Sequence, residues 1–223
     1  MNSTSLDELR SEMEAVYCLY AGLARGMDAE AGLGGKLVYA GELDGEGFRL
    51  VRAANIAGAA SLSATADATA QRRAIREGVI DFLVTSLDEA LRVLKNEIRK
   101  RNPVAVGVGL APAQMTAEMH ERGVLPNLLR PGLPSAEVSQ FVILGAQFAA
   151  PAAIPDGQEF CVFTDAPADF ETRALQLIPE SDHAMRRWLR LSPRYLGPQV
   201  RRVRSFACDS QSALLLKTGS NEL

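Results

Sequence analysis

Residues 41–47 read Gly-Glu-Leu-Asp-Gly-Glu-Gly, with glycines at Gly41, Gly45 and Gly47 in a GxxxGxG spacing. Glycines so spaced let the backbone turn tightly. Ahead of a helix, such a turn can bring a pyrophosphate onto the N-terminal amides. Asp67 follows Gly47 by 20 residues, where an acid that binds a ribose is expected. The local charge opposes that use. Glu42, Asp44 and Glu46 put three carboxylates in a loop meant to receive an anion, and each like-charge pair at contact distance costs about 1 kcal/mol even in water. The same segment therefore also reads as a turn that uses glycine for geometry alone. With Thr85 at another expected strand end, the candidate cofactor or anion contacts are Gly41, Gly45, Gly47, Asp67 and Thr85.

A second cluster lies near the C-terminus. Arg186, Arg187, Arg190, Arg194, Arg201, Arg202 and Arg204 follow one another with no acidic residue between His183 and Arg204, and Trp188 and Tyr195 are interleaved. Guanidinium forks suit phosphate or carboxylate, and aromatics stack on bases. The plainer reading puts Met185, Trp188 and Leu189 on the buried side of a helix whose arginines meet water or an oligomer partner. His120, expected on the exposed side of a helix, and His183 have no metal-ligand spacing to cysteine, so no metal site is expected. No G-x-S-x-G elbow, Walker A loop or C-x-x-C pair is present. The tyrosine–lysine pair of a short-chain dehydrogenase is also missing.

These residues need elements to hold them. Apolar residues at three- and four-residue steps predict a helix over 6–24. From residue 36 the pattern changes. Short apolar runs at 37–40, 59–64, 79–84, 104–108 and 127–129 predict strands, and helices are expected at 48–57, 68–77, 86–98 and 113–122. Ser86 and Glu89 form a capping box, and Asp88 is spaced to pair with Arg92. The alternation implies βαβ units. The predicted fold is α/β, a Rossmann-like parallel sheet with helices on both faces and ligands outside the strands' carboxyl ends. The runs at 37–40, 79–84 and 104–108 are expected to be neighbouring inner strands. Beyond an Ala/Pro-rich stretch at 149–157, strands are expected at 159–164, 200–208 and 213–217, and helices at 168–178 and 182–191. The organisation read from this is an N-terminal helical segment (1–34), a Rossmann-like domain (35–148) and a small C-terminal α+β appendage (149–223).

Composition narrows the setting. The 223 residues are 47% hydrophobic and 23% charged with a net charge of -3, which gives no basic field for nucleic acid. No apolar run approaches the roughly 20 residues of a membrane span. The first residues lack the basic and apolar parts of a signal peptide, and Cys18, Cys161 and Cys208 are too few and too far apart for a disulfide framework. A cytoplasmic protein that forms homo-oligomers is expected.

Residues 35–126 resemble the NAD-binding domain of urocanase, the urocanate hydratase of histidine degradation. The pieces that carry the likeness are Gly35-Lys36-Leu37-Val38-Tyr39-Ala40-Gly41, Ala57-Gly58-Ala59, Thr85-Ser86-Leu87-Asp88-Glu89-Ala90-Leu91, Val106-Gly107-Val108 and Glu121-Arg122-Gly123-Val124-Leu125-Pro126, in that order. The family's Gly-Gly-Met-Gly-Gly-Ala-Gln-Pro turn falls on Leu43-Asp44-Gly45-Glu46-Gly47-Phe48-Arg49. The glutamate that closes its second strand falls on Thr65, and its Gly-Asn-Ala-Ala-Glu on Leu110-Ala111-Pro112-Ala113-Gln114. Where its Asp-Gln-Thr-Ser-Ala-His-Asp-Pro is due, this chain has Leu129-Arg130-Pro131-Gly132. The resemblance thus implies a urocanase-like framework without hydratase activity in the family's sense, expected to bind a small anionic ligand or nucleotide at the strand ends. Two alternatives remain: an NAD-dependent hydratase, lyase or oxidoreductase, and an arginine-rich module that binds an acidic partner or nucleic acid.

Overall fold

A computed structural model describes residues 3–164 and 166–218. Six strands form one parallel sheet: β1 (Leu37–Glu42), β2 (Ala60–Ala64), β3 (Phe82–Val84), β4 (Val104–Val108), β5 (Leu128–Leu129) and β6 (Gln147–Phe148). Their order is β3-β4-β2-β1-β5-β6. The helices between them are α2 (Gly45–Ala57), α3 (Ala68–Arg76), α4 (Leu87–Lys100), α5 (Pro112–Glu121) and α6 (Ser135–Ile143), and α1 (Ser3–Leu23) precedes the sheet. The fold is Rossmann-like α/β, as the alternation of apolar runs predicts. β2 and β4 are buried along their whole length, the signature of parallel strands covered on both faces.

The helices divide between the two faces. One core joins α1, α2 and α3 through Val16, Tyr20, Phe48, Leu50, Ile56 and Ala74. The other joins α4, α5 and α6 through Leu87, Leu94, Met115, Met119 and Phe141. α2 carries the chain from β1 to β2, and α6 carries it from β5 to β6 on the opposite face and in the opposite direction. β1 and β5 are hydrogen-bonded neighbours, so the topological switch point lies between their carboxyl ends.

The rest of the chain forms an antiparallel pair, β7 (Glu159–Phe163) and β8 (Arg204–Cys208), with α7 (Phe170–Leu177), α8 (His183–Tyr195) and α9 (Ser210–Thr218). It packs on the α1/α2 side. Trp188 of α8 is fully buried, its indole N–H donates to the Ser205 carbonyl at 2.6 Å, and its ring meets Tyr17 at 5.0 Å and Tyr20 at 5.3 Å. The Arg187 guanidinium donates to the Ile56 carbonyl at 2.7 Å, at the open C-terminal end of α2.

Several expectations need correction. β1 and β4 are parallel but not adjacent, because β2 lies between them. Of the run 79–84 only Phe82–Val84 forms a strand; it is an edge strand with Phe82 half-exposed, and buried Val79 and Ile80 lead into it. Residues 213–217 are helical, not extended: Asp209 accepts from the Ser212 amide at 2.9 Å and opens α9. The segment 200–203 is a 3-10 turn and bend ahead of β8. Asp88 pairs with Arg122 across to the end of α5 rather than with Arg92. His120 is half-buried, stacked on Phe141 at 4.0 Å with Nε2 against the Glu137 carbonyl at 2.9 Å. α6 and β6 were not anticipated. Among the described residues no helix is long and apolar enough to cross a membrane.

Candidate strand-end site

The β1–α2 turn is built from the inside out. Gly41 has φ +66, and a Cβ there would lie 2.5 Å from Leu133 Cδ2 in the β5–α6 loop. Glycine is what lets the two loops of the switch point close on one another. β1 slips register against β2 between Tyr39 and Gly41. Gly47 serves helix–strand packing, since a Cβ on it would stand 2.0 Å from the Glu42 carbonyl oxygen. Gly45 opens α2 and faces free space. Gly41 and Gly47 thus sit where a side chain would not fit without displacement.

Asp44 occupies the seat that this geometry creates. It is the N-cap of α2: its Oδ1 accepts from the Gly47 amide at 2.7 Å and from Arg130 Nη1 at 2.6 Å. Arg130, 86 residues away along the chain, also donates to the Glu42 carbonyl at 3.3 Å. Its side chain is only 13% exposed, and its Nε is buried with no partner. A helix N-terminus favours an anion; here the anion is a side chain of the protein itself. Sequence reading registered the carboxylate but not Arg130's part, because its distance in sequence hides a partner that only the sheet order brings alongside.

The remaining candidates lie further along the rim. Asp67 ends the turn after β2 and caps α3, accepting from the Thr69 amide at 2.7 Å. Beneath it, Thr65 is buried, and its carbonyl accepts from the Gln71 amide nitrogen at 2.9 Å. Thr85 follows the edge strand β3, three strands from β1. Its amide and hydroxyl both donate to Glu89, at 2.8 and 3.0 Å. Those two bonds hold the Glu89 carboxyl below its usual range. The structure thus brings Gly41, Gly45 and Gly47 together, with Asp67 one strand away, and leaves Thr85 apart from them.

Beside the switch point a cavity of about 250 Å³ opens between α1, α2 and the β5–α6 loop. Ala15, Leu19, Leu50 and Pro131 give it apolar walls, and Arg130, Arg49, Glu46 and Cys18 also line it. Burial, and then Glu14, push the Cys18 thiol up, which disfavours the thiolate. Among the described residues no cluster of His, Cys, Asp and Glu could hold a metal ion.

A Rossmann-like parallel sheet with a glycine-shaped turn at its switch point is common to many families. The family model of the urocanase Rossmann-like domain matches residues 17–133, more than half of the chain. The chain belongs to the urocanase family. The match begins within α1 and ends at Leu133, so it takes in both halves of the strand-end crevice. The urocanase domain here carries a further α/β part against its α2 face, through α8.

The arginine cluster sits in that further part. Arg186 donates to the Leu175 and Ile178 carbonyls at 2.9 and 2.8 Å, and Arg187 to the Ile56 carbonyl. These two tie helix ends together. Arg190, Arg194, Arg201 and Arg202 are exposed.

Proposed function

We propose that this urocanase-family domain does not hydrate urocanate, and that its strand-end crevice takes a small anionic molecule rather than a dinucleotide. The observation that supports this is the Asp44 carboxylate on the first turn of α2, paired with Arg130. A pyrophosphate in that seat must displace it. The N-cap bond is worth about 1 kcal/mol, and the half-exposed ion pair adds up to about 1 kcal/mol. Together these cost roughly 30-fold in affinity, before repulsion from Glu42 and Glu46. A small anion needs less: Arg130 has an unpartnered Nε and lines a mainly apolar cavity of about 250 Å³, where Arg49 offsets the charge of Glu46. The test combines two readings. Urocanate incubated with the protein and NAD should keep its ultraviolet absorbance, and millimolar NAD should leave the melting temperature unchanged. A ligand at 100 times its Kd would add about 2.7 kcal/mol, so a clear NAD shift with urocanate turnover would refute the proposal.

A second reading keeps NAD chemistry, as a hydratase, lyase or oxidoreductase. It is supported by the close approaches at Gly41 and Gly47 and by Asp67 at the end of the neighbouring strand. It requires Asp44 to swing away. The arginine-module reading has less to draw on, because Arg186 and Arg187 are spent on helix ends. A homo-oligomer, and a cytoplasmic setting, remain part of the proposal. Val142, Ile143 and Leu144 at the end of α6 and Phe148 of edge strand β6 are exposed apolar side chains, which would suit a second copy. Light-scattering mass should exceed that of the 24.0 kDa chain.

A further inference from the structure

A second cavity, of about 350 Å³, lies along α1, α2 and α3 and reaches the β1–α2 turn only at Gly45. α1 contributes Leu9 and Glu12, α2 contributes Gly45, Phe48, Arg49 and Arg52, and α3 and its C-cap contribute Arg73 and Glu77; the turn at 196–200 closes it. Its charges form one alternating chain. Arg49 bonds Glu12 at 2.7 Å, and Glu12 lies 3.5 Å from Arg52. Arg52 bonds Glu77 at 2.8 Å, and Glu77 bonds Arg73 at 2.7 Å. Three guanidiniums thus share two carboxylates, and both ends of the chain are positive.

The middle arginine is under-satisfied. Its side chain is 9% exposed, and its Nε is buried with no hydrogen-bond partner. Buried polar groups are ordinarily paired, and a ligand acceptor would pair this one. The guanidinium of Arg73 lies 4.9 Å from the Phe48 ring centre and bonds Glu77 through Nε, which leaves its outer N–H groups for an acceptor. The charges favour a singly charged anion. Three guanidiniums against Glu12 and Glu77 leave the groove positive for a neutral molecule, and Glu46, which also acts on Arg49, weighs against a phosphate dianion. Leu9, Phe48, Leu196 and Val200 supply apolar wall.

We infer that this groove is a binding site for a small monocarboxylate with an apolar body, held by Arg73, Arg49 and the free N–H of Arg52. The inference does not rest on the strand-end reading: Arg73 and Arg52 line this groove alone, Arg130 lines the crevice alone, and Arg49 stands between them.

Calorimetric titration of the full chain with benzoate, acetate and the neutral isostere benzamide tests it. Benzoate should bind saturably and at least tenfold more tightly than benzamide. Arg73→Gln should weaken benzoate at least fivefold, and Arg130→Gln should leave it within twofold. Arg73 is about half exposed, so its variant keeps the fold; an unchanged circular dichroism spectrum checks this. Saturable heat from neither carboxylate, equal binding of benzamide, or binding unaffected by Arg73→Gln would overturn the inference. Loss of benzoate binding on Arg130→Gln alone would assign the carboxylate to the crevice and overturn it as well.

Discussion

Asp44 makes two bonds that an incoming anion would need, one to an amide and one to a guanidinium. Replacement by alanine removes both. Asp44→Ala should lower the unfolding free energy by about 1 kcal/mol, the usual cost of a lost N-cap, in a urea titration. Loss of the ion pair adds up to about 1 kcal/mol more. Glu77 offers a separate test at this scale. Burial pushes its carboxyl up, but Arg73 and Arg52 outweigh burial and hold it below the ordinary range. A carboxyl depressed in the folded state stabilises above its unfolded pKa of about 4.3 and loses that contribution as pH falls through the folded value. Wild type should therefore melt above Glu77→Gln at pH 7, and the difference should shrink toward pH 3.5. A difference that does not change with pH would contradict the assignment. What the sequence disclosed here was the sign of each charge. Its partner was hidden whenever the pair spans distant segments, as with Asp44 and Arg130, or Glu12 and Arg52.

The helices and strands were legible where pattern and punctuation agreed. Ser86 accepts from the Glu89 amide at 3.3 Å, as a capping box requires, and the Glu89 carboxylate reaches back to the Thr85 amide at 2.8 Å. The apolar run at 104–108 forms a fully buried strand. Legibility failed where one signal stood alone. Ala213-Leu214-Leu215-Leu216 is an apolar run too short to show its period, and the cap at Asp209 decided it. α6 begins after Pro134 with no side-chain cap, and β6 is two residues long. At this scale Gly22 gives the sharpest test. A Cβ there would lie 1.8 Å from the Ala150 carbonyl oxygen, where α1 meets the segment that follows β6. Gly22→Ala should destabilise the protein by about 1–3 kcal/mol through forced displacement, read as a lower urea midpoint with an unchanged slope. A neutral or stabilising effect would mean that α1 does not dock there.

Across the whole molecule, one core runs from α1 through α2 to α8 and β8, with Val16, Tyr20, Val51, Trp188 and Phe206 among its members. The C-terminal part shares its buried surface with the urocanase domain, so the two should unfold together. Trp188, the only tryptophan, reports on that junction: its fluorescence and the far-ultraviolet circular dichroism should trace one coincident transition. The parallel α/β class was readable from the alternation of runs; the strand order was not, because nothing local to β4 says that it inserts between β2 and β3. That insertion leaves the β1/β5 switch point intact, with Asp44 and Arg130 facing each other across it. The most direct measurement is a calorimetric titration of NAD into wild type and Asp44→Asn, since asparagine keeps the cap and removes the charge. The expected result is no saturable heat from wild type at millimolar NAD, and binding about fivefold tighter in the variant, as loss of the ion pair's up to about 1 kcal/mol of competition predicts. Micromolar binding by wild type would contradict the account.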